Sequence, residues 1–172
     1  NGNGNPGGTE QPGGGNQGGE EIPADKTQAI KFQDENTKLL CTLHWDENED
    51  GELSYEEAAA VTDLGTAFKG SSILDFTELK YFTSLEKIAD SAFKGCASLV
   101  KITLPEQLTI IGTSAFNGCT NLKWIYFRTI KAPIIGEQVF NSTGSANGGL
   151  TVYCIPLPEA WVMGKEVLWN NY

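Results

Sequence analysis

Hydrophobic residues recur at a fixed spacing through the middle of the chain. The stretch LEKIADSAFKGCASLVKITLPEQ, residues 85–107, aligns with LTIIGTSAFNGCTNLKWIYFRTI, residues 108–130, at a shift of 23 residues. The alignment places Phe93 over Phe116, with polar residues between the apolar ones in both copies. A repeat of this length predicts a solenoid, in which each unit stacks its apolar face on the next. Further matched positions are Leu85 and Leu108, Ile88 and Ile111, Cys96 and Cys119, Leu99 and Leu122, and Ile102 and Ile125.

Each unit contains one strand pattern and one turn pattern. The pattern L-x-x-I-x-L predicts a short strand whose Ile and last Leu face inward. The segment S-A-F-x-G-C predicts a tight helical turn with a buried Phe and a Gly that permits the reversal. Weaker copies occupy residues 64–76 and 134–156, so three to four coils are expected.

Composition divides the chain into the repeats and three flanking segments. Residues 1–24 are rich in Gly and have no large apolar side chain before Ile22, so they predict a flexible tether. Residues 25–63 contain two helical patterns around an acidic loop, and residues 64–156 contain the repeats. Residues 157–172 predict a C-terminal cap over the last coil. The expected fold class is α+β, a short solenoid with an N-terminal helical cap.

The motif L-x-x-I-x-x-x-A-F-x-G-C-x-x-L-x-x-I-x-L resembles the cysteine-containing leucine-rich repeat of BspA-like (Treponema pallidum-type) bacterial surface proteins. The resemblance covers residues 62–156 and is strongest in the two central copies. It implies a right-handed leucine-rich repeat solenoid on a secreted or lipid-anchored adhesion protein of a host-associated bacterium. The chain starts without Met inside the Gly-rich segment, so we expect that a signal peptide has been removed. The Gly-rich start also resembles the tether that follows the lipidated Cys of these proteins, so the resemblance implies a lipid anchor upstream of residue 1.

The four cysteines leave two interpretations open. Cys96 and Cys119 hold equivalent places in adjacent coils, about 5 Å apart by the spacing of strands, which would permit a disulfide. The alternative, which we favour, is a ladder of small buried residues with reduced thiols, and we expect Cys41 and Cys154 to be reduced as well. The sequence has no C-x-x-C and a single histidine, so a zinc site is not expected.

The segment WDENEDGELSYEEA, residues 45–58, contains seven acidic residues and no basic one. Counted from Asp46, its oxygen-bearing residues fall at the positions from which a twelve-residue loop surrounds Ca²⁺. Gly51 permits the sharp turn that such a loop needs, and Leu53 packs inward. The expected ligands are the side chains of Asp46, Asn48 and Asp50, the carbonyl of Glu52, the hydroxyl of Ser54 or a water bound to it, and both carboxylate oxygens of Glu57.

This order of residues resembles an EF-hand loop. Leu39, Leu40 and Leu43 at helical spacing predict the entering helix, and the Ala-rich segment after Ser54 predicts the exiting one. EF-hands that act as sensors work in pairs, whereas this sequence has one such loop. We therefore interpret the calcium as structural. A sensor and an unliganded acidic turn are the alternatives.

Side chains that alternate with the buried ones along the strands predict an exposed binding face. Stacking of the coils would place Thr103, Tyr126 and Tyr153 in one row. Aromatic residues beside Arg are frequent hot spots for partners, although aromatic residues also favour strands for their own sake. The candidate partner-binding residues are Lys101, Thr103, Trp124, Tyr126, Arg128 and Tyr153.

Charge and composition disfavour several classes of function. The formal net charge is −10 and the sequence has no basic patch, so nucleic acid binding is not expected. No apolar run is long enough to predict a membrane span. No catalytic residues are predicted, because His44 has no nucleophile nearby in sequence and Asp63, Asp75 and Asp90 occupy turn positions where Asp is common.

The leading hypothesis is a non-catalytic, calcium-stabilised binding and adhesion module on a bacterial cell surface. Its repeat face would recognise a host extracellular protein or a glycan, as the resemblance implies. The alternative is a docking module of a cell-surface complex, because a calcium loop in front of helices resembles dockerins. Dockerins carry two such loops, and the single loop counts against this alternative.

Overall fold

The computed structural model describes residues 22–129 and 131–154. These contain two α-helices, seven β-strands and the 3₁₀ helix Thr77–Tyr81. The expected C-terminal cap, residues 157–172, and most of the expected tether lie outside the described residues. The elements are α1, Glu35–Trp45; α2, Tyr55–Ala60; β1, Asp75–Phe76; β2, Lys87–Ile88; β3, Lys101–Leu104; β4, Ile110–Ile111; β5, Trp124–Phe127; β6, Ile134–Ile135; and β7, Thr151–Cys154.

The strands form two parallel sheets that run along the stack of coils. One sheet has the order β1-β3-β5-β7, and the other has the order β2-β4-β6. Strand β3 pairs with β5 from Lys101 opposite Trp124 to Leu104 opposite Phe127, which is the 23-residue shift at which the sequence repeats. The described residues therefore wind through about three turns of a solenoid, as expected for a short leucine-rich repeat.

The Phe of each turn segment stacks on the Phe of the next coil. Phe93 and Phe116 are parallel, with ring centroids 5.2 Å apart and planes at 1°, and Phe116 and Phe140 are 5.7 Å apart at 5°. Phe68 continues the row, 5.4 Å from Phe93. The rings of Phe68, Phe93 and Phe116 are fully buried, whereas Phe140 in the last described coil is 7% exposed. This ladder contributes both apolar burial and aromatic contact to the core.

The cysteine positions form a ladder of hydrogen-bond donors. Cys96 Sγ donates to the carbonyl of Phe68 in the preceding coil at 2.9 Å, and Cys119 Sγ makes the same bond one coil further on at 3.1 Å. Thr143 holds this place in the next coil, and its hydroxyl donates to the carbonyl of Phe116 at 2.7 Å. All four cysteines are free, and the neighbouring Cys96 thiol together with burial raises the pKa of Cys119. The favoured ladder interpretation thus agrees with the structure, and the donor role explains why Thr can replace Cys.

Two glycines allow consecutive coils to approach closely beside the second sheet. A Cβ on Gly112 would lie 2.7 Å from Asp90 N and 2.8 Å from Ala89 C, and would also collide with Asp90 Oδ1. A Cβ on Gly136 would lie 2.6 Å from Thr113 N. These distances are shorter than van der Waals contact, so a larger residue would force the backbones apart.

We expect Gly112→Ala to lower the free energy of unfolding by about 1–3 kcal/mol, the usual cost of overpacking a close contact. Urea denaturation followed by circular dichroism measures this loss. Thr113→Ala at the exposed neighbouring position is the control and should change the free energy by less than about 0.5 kcal/mol. Equal stability of the Gly112→Ala and wild-type proteins would contradict the close backbone approach.

The two helices pack on the first coil of the solenoid. The Thr37 hydroxyl of α1 donates to the carbonyl of Asp75 in β1 at 2.8 Å. Trp45, the last residue of α1, places its ring 5.9 Å from that of Phe68 and 5.8 Å from that of Phe82. These contacts join α1 to the backbone and to the buried phenylalanines of the first coil.

The packed side of α1 is formed by small side chains rather than by all of its leucines. Thr37 and Cys41 are fully buried, whereas Leu39 is 64% exposed and Leu43 is 72% exposed. The small side chains at the two buried positions let the helix lie close to β1. Leu40 is half-buried against the core, so the remaining two leucines form an apolar pair on the outer side of the helix.

Candidate functional site

The acidic loop joins α1 to α2. Asp46 is the C-cap of α1, and Ser54 is the N-cap of α2, where its hydroxyl accepts the Glu57 N–H. Two residues between these caps have positive φ, Glu49 at 59° and Gly51 at 81°. Gly reaches this conformation at little steric cost, which is why a twelve-residue loop of this kind has Gly at this turn.

Loop side chains accept hydrogen bonds from the backbone of the loop. Asp46 Oδ2 accepts Gly51 N–H at 2.8 Å, and Asn48 and Asp50 each accept the N–H two residues further on, also at 2.8 Å. The other Asp46 oxygen, Oδ1, is buried and has no hydrogen-bond partner. A buried carboxylate oxygen without a donor is energetically costly. Asp46 therefore offers an unsatisfied carboxylate oxygen next to the loop backbone.

Glu57 closes the loop from the exiting helix. Its Oε1 accepts Glu47 N–H at 3.0 Å and Asn48 N–H at 3.4 Å, and its Oε2 accepts the N–H and the hydroxyl of Ser54 at 2.8 and 2.7 Å. Burial raises the pKa of Glu57, but these hydrogen bonds outweigh burial and hold the pKa below its usual value. Glu57 is therefore ionised at neutral pH and connects the two ends of the loop.

Glu52 directs its side chain to α1. Its carboxylate pairs with Lys38 Nζ at 2.6 Å, with both side chains partly exposed. Such a pair contributes less than about 1 kcal/mol to stability. Because the carboxylate is engaged by Lys38, the backbone carbonyl is the group that Glu52 can offer to a cation.

The candidate calcium ligands are neighbours in one loop, but their charged groups are not drawn together. Within residues 22–129 and 131–154, no three His, Cys, Asp or Glu side chains converge as a metal-binding group. The carboxylates of Asp46 and Glu57 instead bind backbone N–H groups at separate points of the loop. This arrangement keeps the negative charges apart and gives the backbone N–H groups of the turn their hydrogen-bond acceptors.

The four-stranded sheet carries the expected aromatic row. Tyr126 of β5 is in register with Thr103 of β3 and Tyr153 of β7. The two tyrosine rings stack with their centroids 4.8 Å apart and their planes at 9°. Burial, together with Tyr153, raises the pKa of Tyr126, so its hydroxyl stays neutral. Both rings are half-buried, so part of each is open to a partner.

Thr103 does not belong to the exposed face. It is only 8% exposed, so the expectation that its side chain lies in an exposed row is wrong. The reason is that the chain after β1 turns into the 3₁₀ helix Thr77–Tyr81, which packs against β3. Tyr126 of the next coil is in register with Thr103 on the other side.

Basic side chains flank the tyrosine row. Lys123 Nζ lies 4.6 Å from the centre of the Trp124 ring, within the range of a cation–π contact. Lys101, in register with Trp124, forms an ion pair with Asp75 at 3.0 Å. Arg128 follows β5 and is half-buried. The face therefore combines aromatic rings with positive charge, although the whole chain is acidic.

Sequence reasoning missed Lys123 and Asp75 on this face and Glu78 beneath the helices. The adjacency of Lys123 to a strand Trp was the available signal for the cation–π contact. Asp75 belongs to the weakest repeat, so its register with Lys101 was not visible. Glu78 is 3% exposed, its Oε1 accepts Gln33 N–H at 3.1 Å, and burial raises its pKa to about 7. No sequence pattern marked this burial.

The three aspartates considered for catalysis each bind a turn N–H. Asp63 and Asp75 accept the N–H two residues further on, both at 2.8 Å, and Asp90 accepts Thr113 N–H at 3.0 Å. His44 is exposed at the end of α1. These contacts give each carboxylate a structural role in a turn.

Comparison with known proteins finds a family match in the repeats. Residues 65–148 match the family described as BspA type Leucine rich repeat region (6 copies). No curated protein and no solved structure matches the chain. Within the described part of the chain, no helix is long and apolar enough to cross a membrane. The match covers the solenoid from before β1 to before β7 and leaves the acidic loop outside it.

Proposed function

We propose that this protein is a calcium-stabilised adhesion module. Supporting this proposal, residues 65–148 match the BspA type leucine-rich repeat family, a non-catalytic binding fold typical of surface or secreted proteins. The module recognises a host extracellular protein, or a glycan, through its four-stranded sheet. It acts on a bacterial cell surface, held there by a lipid anchor upstream of the tether.

One observation carries this proposal, the aromatic and basic face of the four-stranded sheet. Tyr126 and Tyr153 stack in register, and Trp124 beside them is contacted by Lys123. Aromatic residues supply large, rigid contact area at low cost in conformational entropy, and basic groups add hydrogen bonds to carboxylates or sulfates. Because the strands fix these side chains in advance, a partner meets a preorganised surface.

The calcium part of the proposal is supported by the chemistry of the acidic loop. Asp46 holds a buried oxygen that no donor satisfies, which is the position of the first expected ligand. The Ser54 hydroxyl already bonds to Glu57, so it would act through a bound water. Bidentate binding by Glu57 would use both oxygens, so Oε1 would exchange its bonds to Glu47 and Asn48, and Oε2 its bond to the Ser54 hydroxyl, for bonds to the cation. The ion would supply the positive charge that seven acidic residues in residues 45–58 lack.

A structural role for the ion fits the position of the loop. Helix α1 packs on the first coil through Thr37 and Trp45, and Tyr55 of α2 places its ring 4.8 Å from that of Tyr81. Calcium binding would fix the angle between the helices and so stabilise the covered end of the core. Extracellular modules of this kind bind calcium at about 10⁻⁴ to 10⁻³ M, which suits a medium with constant calcium rather than a signal.

We expect the double variant Tyr126→Thr, Tyr153→Thr to lose partner binding by about tenfold or more, because it removes two stacked rings while keeping β-propensity. Purified extracellular-matrix proteins and a glycan array are the probes, with affinities measured by biolayer interferometry. The matched control is Ile110→Thr, Ile134→Thr on the outer side of the second sheet, where the side chains are 36% and 71% exposed. The control should bind like the wild type.

Two results would contradict this assignment of the face. Binding that survives the tyrosine double variant would place the contact elsewhere. Failure of the wild-type protein to bind any matrix protein or glycan would remove adhesion as its function.

Docking to a partner of the same cell is the second candidate function. The observation in its favour is the exposed pair Leu39 and Leu43 on α1, next to the acidic loop. Apolar side chains on a helix are a common contact for docking partners. Under this alternative, Leu39→Ser, Leu43→Ser abolishes binding to surface proteins of the producing cell, and the tyrosine double variant leaves it unchanged.

A further inference from the structure

The backbone just before α1 is paired with the acidic loop. Ala29 and Ser54 form an antiparallel β-bridge. Ile30 N–H donates to the carbonyl of Leu53 at 2.8 Å, and Tyr55 N–H donates to the carbonyl of Gln28 at 3.1 Å. Two chain segments more than twenty residues apart in sequence, residues 28–30 and 53–55, are thus hydrogen-bonded to each other at the end of the loop that precedes α2.

The same segment completes the start of α2. The first N–H groups of a helix have no partner inside it. Here Tyr55 N–H and Glu56 N–H donate to the carbonyls of Gln28 and Lys26, the second at 2.9 Å. Ser54 and Glu57 satisfy each other's N–H groups through the capping box. Residues 26–31, the pairing segment, therefore hold the helix that carries Glu57.

The pairing segment is anchored to the core as well as to the loop. Ile30 is 2% exposed and Leu53 is fully buried, and both belong to the hydrophobic core. Burial of an Ile side chain contributes about 1.5–3 kcal/mol. In contrast, the residues on both sides of Ile30 are exposed, so this one side chain fixes the segment.

Position along the loop links this pairing to the proposed calcium ligands. The Glu52 carbonyl is the proposed backbone ligand, and the next carbonyl, that of Leu53, accepts Ile30 N–H. Ser54 and Glu57 complete the set within the next four residues. Movement of the pairing segment would displace the ligands, and binding of the ion would restrain the pairing segment.

From these contacts we propose that the pairing segment is a part of the calcium site, so that calcium binding and attachment of the N-terminal segment stabilise each other. The inference rests on the proposed calcium function. By thermodynamic linkage, loss of the pairing weakens calcium binding, and loss of calcium loosens the pairing. Ile30 N–H and the Gln28 carbonyl are the positioning groups. Calcium thereby strengthens the attachment of residues 26–31 to the loop.

Hydrogen exchange of the full chain, with calcium and with chelator, tests the coupling. The amides of Ile30, Tyr55 and Glu56 are expected to exchange at least about tenfold more slowly with calcium. The Phe116 amide, which donates to Val139 O in the repeats, is the internal control and should not change. Calcium binding in calorimetry without slower exchange at these three amides would overturn the inference and leave the calcium function standing. No calcium binding at all would overturn both.

Variants at Ile30 distinguish the contribution of its backbone hydrogen bond to Leu53 from that of its buried side chain. Ile30→Ala keeps the N–H and should weaken calcium binding by about threefold, whereas Ile30→Pro removes the donor and should weaken it by about tenfold or more. Lys31→Ala at the exposed neighbour is the control and should bind calcium like the wild type. Circular dichroism of the repeats verifies folding. Calcium affinity of Ile30→Pro equal to that of the wild type would overturn the inference.

Discussion

Replacement of Phe116 by Ala is expected to lower the free energy of unfolding by about 3–5 kcal/mol, the usual cost of removing a buried Phe side chain. Phe116 stacks on Phe93 at 5.2 Å and on Phe140 at 5.7 Å, and it has no exposed surface. Its loss leaves a cavity in the middle of the ladder, where coils on both sides restrict collapse. A solenoid transmits such a defect because each coil is stabilised by its neighbours.

Urea denaturation monitored by circular dichroism measures this effect. Phe140→Ala is the comparison, because this ring lies in the last described coil and retains 7% exposure. Its cost should be smaller than that of Phe116→Ala. If both variants lost the same small amount of stability, the ladder would not be the centre of the core.

Glu57→Gln is expected to weaken calcium binding by about 100-fold, which corresponds to about 2.7 kcal/mol. Gln removes the negative charge of the bidentate ligand. It retains the ability to accept the Ser54 N–H, since Glu and Gln both serve at this position of a capping box. The variant should therefore keep α2 and the repeats folded while losing the ion.

Glu56→Gln is the matched control for this variant. Glu56 is the preceding residue in the same helical turn and is exposed, so it contributes attraction at a distance but no ligand. Its calcium affinity should fall by less than about threefold, since exposed charges are screened. Equal affinities of the two variants would mean that Glu57 is not a ligand. Isothermal titration calorimetry gives both values.

The repeat could be predicted from the sequence because every coil buries similar side chains at equivalent positions. Phe93 and Phe116 fill equivalent places, and the 23-residue shift reappears as the register of β3 and β5. The exposure of Thr103 was predicted wrongly, since strand alternation does not reveal that the 3₁₀ helix covers it. The donor role of the cysteines was also hidden, although Thr143 at the equivalent place was a signal.

The acidic loop could be predicted as a local feature, but its surroundings could not. Its turn at Gly51 and the capping box of Ser54 and Glu57 follow from residue type and spacing. The pairing with Ile30 joins segments with no shared pattern, and the burial of Glu78 depends on how the helices pack. Such contacts are set by tertiary structure. The calcium ligands stay a prediction.

Calorimetric titration of chelator-stripped protein with calcium, accompanied by thermal melts, tests the central claim most directly. The account predicts one site with a Kd of about 10⁻⁴ to 10⁻³ M. At calcium about 100-fold above Kd, the melting temperature should rise by about 5–10 °C. No heat of binding and an unchanged melting temperature would show that the loop is an acidic turn, and would contradict calcium stabilisation of the module.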